Sequence, residues 1–185
     1  MKHTWKLFLL GLFSITLLTG CNSDDDTLDN EASIVGVWNV VAYDYGGSVS
    51  TTFQGQTTSS EFTGEFFNID LTLDITENPN EMNSAGSYDI RLTSTLDGSP
   101  PVEQTVSFND ISGQGTWTRN GNVVTITGEF VNTSTPTGTD FTSQDWTITE
   151  LTANSLTMTT TVDFNSNQAG FSSTGSLDAT MVLNR

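Results

Sequence analysis

Ile69-Asp70-Leu71-Thr72-Leu73-Asp74-Ile75-Thr76 decides the fold. Aliphatic side chains alternate with Asp and Thr at every step. Successive side chains of a strand point to opposite faces, so this order puts all the apolar groups on one face and all the polar groups on the other. A helix would scatter the same residues around its axis. One dry face and one wet face are the mark of an antiparallel sheet with a single core side.

The same period runs outward in both directions. Tyr88, Ile90, Leu92 and Leu96 alternate with Asp89, Arg91, Thr93, Thr95 and Asp97. Leu156, Met158, Val162 and Phe164 alternate with Thr157, Thr159, Thr161 and Asp163, and Leu177, Ala179, Met181 and Leu183 with Ser176, Asp178 and Thr180. Turn chemistry punctuates these runs: Asn78-Pro79-Asn80, Asp97-Gly98-Ser99-Pro100-Pro101, Asn120-Gly121 and Ala153-Asn154-Ser155. The pattern predicts strands near 34–45, 48–54, 60–67, 68–77, 87–97, 102–109, 113–120, 122–131, 141–151, 155–165 and 174–184. Some of these short segments are expected to merge, leaving eight to ten strands. A meander of that length must hide its edges, and closing into an up-and-down antiparallel barrel does so. The alternative all-β architecture is a two-sheet sandwich.

The N-terminus has a different character. Met1-Lys2-His3-Thr4-Trp5-Lys6 is a short cationic start, and Leu7 to Leu18 is an apolar run. As a helix that run reaches about 18 Å, short of the roughly 30 Å of a bilayer core. It has the length and flank of a signal-peptide core. Leu18-Thr19-Gly20-Cys21 follows and resembles the lipobox of bacterial lipoproteins. The resemblance implies residues 1–20 as a signal peptide, cleavage between Gly20 and Cys21, a diacylglyceryl group on the Cys21 thiol and an acyl chain such as palmitate on its amino group. Several chains on one cysteine give stable membrane attachment.

Residues 21–33 are polar, acidic and without periodicity, as in a flexible tether. Ser23-Asp24-Asp25-Asp26 is similar to the acidic surface-export signal of Bacteroidota lipoproteins. That likeness implies an outer-membrane lipoprotein facing the cell surface, with a periplasm-facing protein as the alternative. Asp26-Thr27-Leu28 resembles the O-glycosylation triplet of that group, which makes Thr27 a candidate modification site.

Composition narrows the chemistry. Cys21 is the chain's one cysteine and His3 its one histidine, and His3 leaves with the signal. The mature chain then has no disulfide, no Ser-His-Asp or Cys-His nucleophile and no histidine-ligated metal. No cofactor is expected. Five Lys+Arg stand against 22 Asp+Glu, a net charge of −17. Removing Lys2 and Lys6 brings the mature chain to about −19. A surface this acidic repels phosphate backbones, so nucleic acid is not an expected partner. The strand acids Asp70, Asp74, Asp89, Asp97 and Asp163 fall on the polar parity, where no carboxylate pair for glycoside hydrolysis is set up. The chain reads as a non-enzyme.

Residues 34–185 make one domain. It opens on Gly36-Val37-Trp38 and reaches Leu183-Asn184-Arg185. This is similar to lipocalins, whose first strand carries Gly-x-Trp and whose last strand region carries a basic residue packing over that tryptophan. The closer likeness is to the lipocalin-like lipoproteins of the Bacteroidota, which commonly carry a later segment like Gly115-Thr116-Trp117-Thr118-Arg119-Asn120-Gly121-Asn122-Val123-Val124-Thr125-Ile126. The two other sequence signatures of lipocalins are not found, so no ligand-binding residue is carried over. The resemblance implies Gly36, Trp38 and Arg185 as barrel-closing residues. Bulky inward positions are Trp38, Phe66, Tyr88, Phe108, Trp117, Phe130, Trp146 and Phe164. Tyr88, Trp117, Trp146, Met158 and Phe164 are the candidate lining of a calyx for a small, mostly apolar ligand. The rival expectation is a surface carbohydrate- or protein-interaction module without a cavity.

Overall fold

The computed structural model describes residues 32–129, 143–168 and 170–185. The signal segment, Cys21, Thr27 and Phe130 lie outside them. The described chain is all β: β1 (Gly36–Phe53), β2 (Gln56–Thr76), β3 (Glu81–Leu96), β4 (Val102–Asn120), β5 (Val123–Glu129), β6 (Ser143–Leu151), β7 (Ser155–Gln168) and β8 (Phe171–Asn184). Each strand pairs antiparallel with the next, and β8 returns to pair with β1, closing an eight-stranded up-and-down barrel.

The alternation found in the sequence becomes the two faces of the wall. Leu71, Leu73 and Ile75 point in and are at most 2% exposed, while Asp70 and Asp74 face water. Leu156 and Met158, and Leu177, Ala179, Met181 and Leu183, are buried in the same way. The outward rows are hydroxyls and carboxylates, with cross-strand bonds such as Thr125 Oγ1 to Asp145 (2.6 Å) and Thr161 Oγ1 to Asp178 (2.6 Å). Such a wall faces water, since lipid-embedded barrels carry an apolar outer band.

Fewer strands appear than the sequence pattern suggests because bulges join segments that look separate. Segments 60–67 and 68–77 are one strand through Asn68 (φ 50), where the pairing with β3 slips between Phe67 and Asp70. Segments 102–109 and 113–120 are one strand through Asp110 (φ 55). Segments 34–45 and 48–54 run together across Gly46-Gly47. A bulge takes up one extra residue and bends the strand without ending it, and Asn and Asp accept positive φ better than most residues.

Two ends are distinguished by their turns. The lower end holds the β2–β3 turn at 77–80, the β4–β5 turn at Gly121-Asn122, the β6–β7 turn at 152–154 and the entry at Ile34. The upper end holds the β1–β2 turn at Gln54-Gly55 and the β3–β4 turn at 97–101. The β4–β5 turn is closed by Asn120↔Val123, so its central residues are Gly121 (φ 62) and Asn122, one step beyond the Asn120-Gly121 reading. Glycine first with positive φ is the type II′ arrangement.

Candidate functional site

The lumen changes character from bottom to top. At the lower end it is filled: Trp38, Leu73, Met82, Leu156 and Leu183 have no exposed surface. Trp38 Nε1 donates to Ile34 O (2.7 Å), and Arg185 lies over its ring with Cζ 3.9 Å from the centroid. The guanidinium also donates to Ser33 O (2.8 Å) and Val35 O (2.9 Å). Gly36 (φ 135) passes beneath it, and a Cβ there would stand 3.4 Å from Arg185 Cζ. These three residues therefore sit together as a plug under the barrel.

Trp117 belongs to this floor as well. Its Nε1 donates to Thr76 O (2.9 Å), and the residue is buried beside the β2–β3 turn. Tyr88, Trp146 and Met158 stand in mid-barrel, each at most 2% exposed. Tyr88 stacks on Phe66 (centroids 4.3 Å, interplanar 15°), Phe66 meets Tyr43 edge-on (4.6 Å, 72°), and Trp146 lies 6.2 Å from Tyr43. Such aromatic pairs add about 0.5–1.5 kcal/mol each beyond their burial.

Above this layer the inward-facing residues are less deeply buried. Val49, Leu92, Val106, Phe108, Val162 and Phe164 share the inward parity of the core, yet are only half-buried. Three rings here lie flat on the wall across from a glycine on the neighbouring strand. The pairs are Tyr45↔Gly64, Phe62↔Gly47 and Phe164↔Gly175. A Cβ at Gly64 would fall 2.2 Å from Tyr45 Cζ, and one at Gly175 would fall 2.4 Å from Phe164 Cζ. The glycines let the rings fold down along the sheet, where Tyr45 and Phe62 are buried and Phe164 is half-buried. Sequence reading picked out Phe164 alone of these three rings. The signal available for the others was the glycine opposite each ring, which only the register reveals.

The carboxylates Asp44, Glu65 and Asp89 and the Arg91 guanidinium sit on the outside of the wall. Burial, and then the neighbouring Glu65 charge, raise the Asp44 carboxyl above the usual range. Hydrogen bonds from Ser107 and Asn68 hold Asp89 below it. Arg91 pairs with Glu65 at 2.7 Å on exposed surface, an arrangement that contributes about 0–1 kcal/mol. Two outer clefts are present. One of about 390 Å³ runs beside Ser48, Ser59, Glu61 and Asp97, and one of about 430 Å³ opens where Asp70, Gly86 and Asp110 mark bulges in three adjacent strands. Among the described residues, no three His, Cys, Asp or Glu side chains gather where they would hold a metal ion.

The upper rim has its own surface. Phe53 and Phe171 stack across the β1–β8 seam (centroids 4.2 Å, interplanar 13°) and remain 40% and 48% exposed, with Leu96 (47%) and Val102 (67%) exposed at the same end. Comparison with known proteins adds no relative: no family model, no curated protein and no solved structure matches the chain.

Proposed function

We propose that this protein is a lipid-anchored carrier of the cell envelope. Its barrel holds a small, mostly apolar molecule in the upper lumen, and its Cys21 is acylated after removal of residues 1–20. The observation that carries the ligand reading is the gradient of burial along one lumen. A closed, packed floor lies beneath inward-facing apolar residues that stay half-buried toward the upper end. Eight strands suffice either to be filled or to hold one small ligand, and apolar walls with few polar groups suit such a ligand. The lipobox reading rests on Leu18-Thr19-Gly20-Cys21 and the acidic stretch behind it, and the same stretch supports an outer-membrane, surface-facing placement. No catalytic step is assigned to the barrel.

Native mass spectrometry of the purified protein tests the carrier reading. A small molecule retained in the gas phase and released on unfolding is expected. A barrel that emerges empty and takes up no apolar probe would overturn it. For the anchor, Cys21→Ala is expected to abolish palmitate labelling and leave uncut precursor; persistent labelling would refute it.

A second reading, a docking module, is favoured by the rim. Tyr45 to Ser60 and Phe164 to Leu177 contain no charged residue, although the chain carries 22 acids. The exposed Phe53–Phe171 stack crowns these two hairpins. These two uncharged, aromatic-tipped hairpins suit a neutral glycan or protein surface. The simplest glycan platform, built on Trp117 and Trp146, is ruled out by their burial. Replacing Phe53 and Phe171 by Ser is expected to remove glycan-array or partner binding under the docking reading and to leave small-molecule uptake intact under the carrier reading.

A further inference from the structure

Serine takes the place of threonine on one part of the outer wall. Elsewhere the outward rows set threonines against each other, as in Thr116↔Thr127 and Thr118↔Thr125. Where β1 and β2 run beside the β3–β4 turn, the outward residues are Ser48 and Ser50 on β1 and Ser59 and Glu61 on β2. The register puts Ser48 opposite Glu61, Glu61 opposite Thr95 of β3, and Ser50 opposite Ser59. Asp97 follows the last β2–β3 pair, Ser60↔Leu96, and its N–H donates to Ser59 O (2.9 Å). Two polar rows therefore lie side by side across three strands. Ser48, Glu61 and Thr95 make one, and Ser50, Ser59 and Asp97 the other. Neighbours stand about 5 Å apart along a row, and the rows are about 7 Å apart.

A serine lacks the methyl of threonine, so the wall is hollow here. The hollow is the outer cleft of about 390 Å³, within the size range of small-molecule sites. The β3–β4 turn forms its far side. The Asp97–Ser59 bond ties that turn to β2, and Ser99 N–H closes it by donating to Leu96 O (2.8 Å). The cleft is thus formed before anything enters it. Ser48, Ser59, Glu61 and Asp97 are exposed, so a solute in the cleft reaches them directly. Leu96, 47% exposed, gives it an apolar flank.

The lining mixes donors with acceptors. A hydroxyl donates one hydrogen bond and accepts others, whereas an ionised carboxylate only accepts. Ser50 Oγ and Ser59 Oγ share one bond (2.8 Å), which uses one of their protons and leaves the other to donate outward. A metal or ammonium ion would use the acceptors alone, and among the described residues no three His, Cys, Asp or Glu side chains gather to hold a metal. A polyol offers a donor and an acceptor on every hydroxyl, and its C–H surface can rest on Leu96. We propose that this cleft binds a neutral saccharide, with Glu61 and Asp97 accepting from its hydroxyls and the serines donating to its oxygens. This goes beyond the carrier reading and rests on the docking reading, to which it gives a glycan site apart from the Phe53–Phe171 stack. Neutrality follows from where the cations are. Arg91 pairs with Glu65, Arg119 Nε donates to Gly121 O at a lower turn, and Arg185 lies on Trp38. None of them lines the cleft, and a uronate or sulfate there would meet two carboxylates instead.

The test is saturation-transfer NMR and calorimetry on the purified full chain. Maltotriose, cellotriose and mannotriose are the neutral probes, trigalacturonate the anionic one, and calcium chloride alone the cation. At least one neutral trisaccharide is expected to bind, and trigalacturonate to bind more weakly. Glu61→Gln and Asp97→Asn each replace a carboxylate by an amide, and each is expected to weaken that binding roughly tenfold, the effect of one hydrogen bond to a charged group. Both side chains are exposed, so both variants are expected to fold, as circular dichroism would check. Phe53→Ser combined with Phe171→Ser is expected to leave the binding unchanged. Binding that survives both carboxylate changes, or that is lost with the two phenylalanines, would overturn the cleft site and leave the docking reading standing. Calcium binding that disappears in the carboxylate variants, without any saccharide signal, would overturn the saccharide assignment. A chain that binds none of the neutral probes would overturn the site and leave the carrier reading untouched.

Discussion

Arg185 over Trp38 shows how much one residue pair can organise. The guanidinium covers the indole face and ties down two carbonyls of the entering chain, so the floor of the barrel and its entry segment are fixed by one side chain. Trp38→Ala removes a fully buried indole and is expected to cost about 3–5 kcal/mol. Arg185→Ala removes the cation–π contact and is expected to cost about 0.5–2 kcal/mol; urea denaturation of both variants checks the order. A backbone site is equally exacting. Gly86 has φ 141, and a Cβ there would sit 1.9 Å from Asp70 O across the strand pair. Gly86→Ala is expected to lose at least about 2 kcal/mol through strain and displacement of β2. The contact of Arg185 with Trp38 was expected from the likeness of Gly36-x-Trp38 and Arg185 to lipocalins, not from the period of the strands. The packing of Tyr45 on Gly64, by contrast, gave no signal, because only the register brings the two opposite each other.

At the scale of elements, the alternating runs were readable wherever one face is dry. Ile69 to Thr76 became the lower half of β2, and Leu177 to Leu183 became the buried part of β8. Strand number was less readable, because a bulge at Asn68 or Asp110 interrupts the period as a loop would. The upper hairpins were also obscure, since Ser48 to Ser60 is nearly all Ser, Thr and Gln, with little contrast between faces. Their turn was missed for a related reason. Gln54 (φ 51) and Gly55 (φ 80) form a two-residue turn with both φ positive, where Asn-Gly is the usual pair. Gln54→Asn is therefore expected to stabilise the protein by about 0.5 kcal/mol, seen as a rise in thermal midpoint with unchanged spectra.

The whole molecule responds to alkali through its inner phenols. Burial raises Tyr43 above its ordinary value, helped by Tyr45 and Tyr88, and burial raises Tyr45 to about 12. Unfolded chains release phenolic protons near pH 10, while the folded barrel keeps them. Stability is thus fully present below pH 10 and is lost as pH rises toward and past 12. Denaturation midpoints should fall between pH 9 and pH 12, and Tyr43→Phe should flatten that fall. The described chain enters at Ile34 beside the plug, at the end of the barrel opposite the Gln54-Gly55 turn. The β1–β8 seam carries a consequence of a different kind. Every other pairing joins strands consecutive in the chain, whereas the seam brings Asn39 against Asn184. Its loop-closure entropy is the largest in the molecule, so hairpins should zip early and the seam last. Weakening the seam, for instance by Ala179→Gly, is then expected to accelerate unfolding while leaving refolding nearly unchanged, so that the barrel's lifetime, rather than its speed of assembly, is set by the strand pair that meets last.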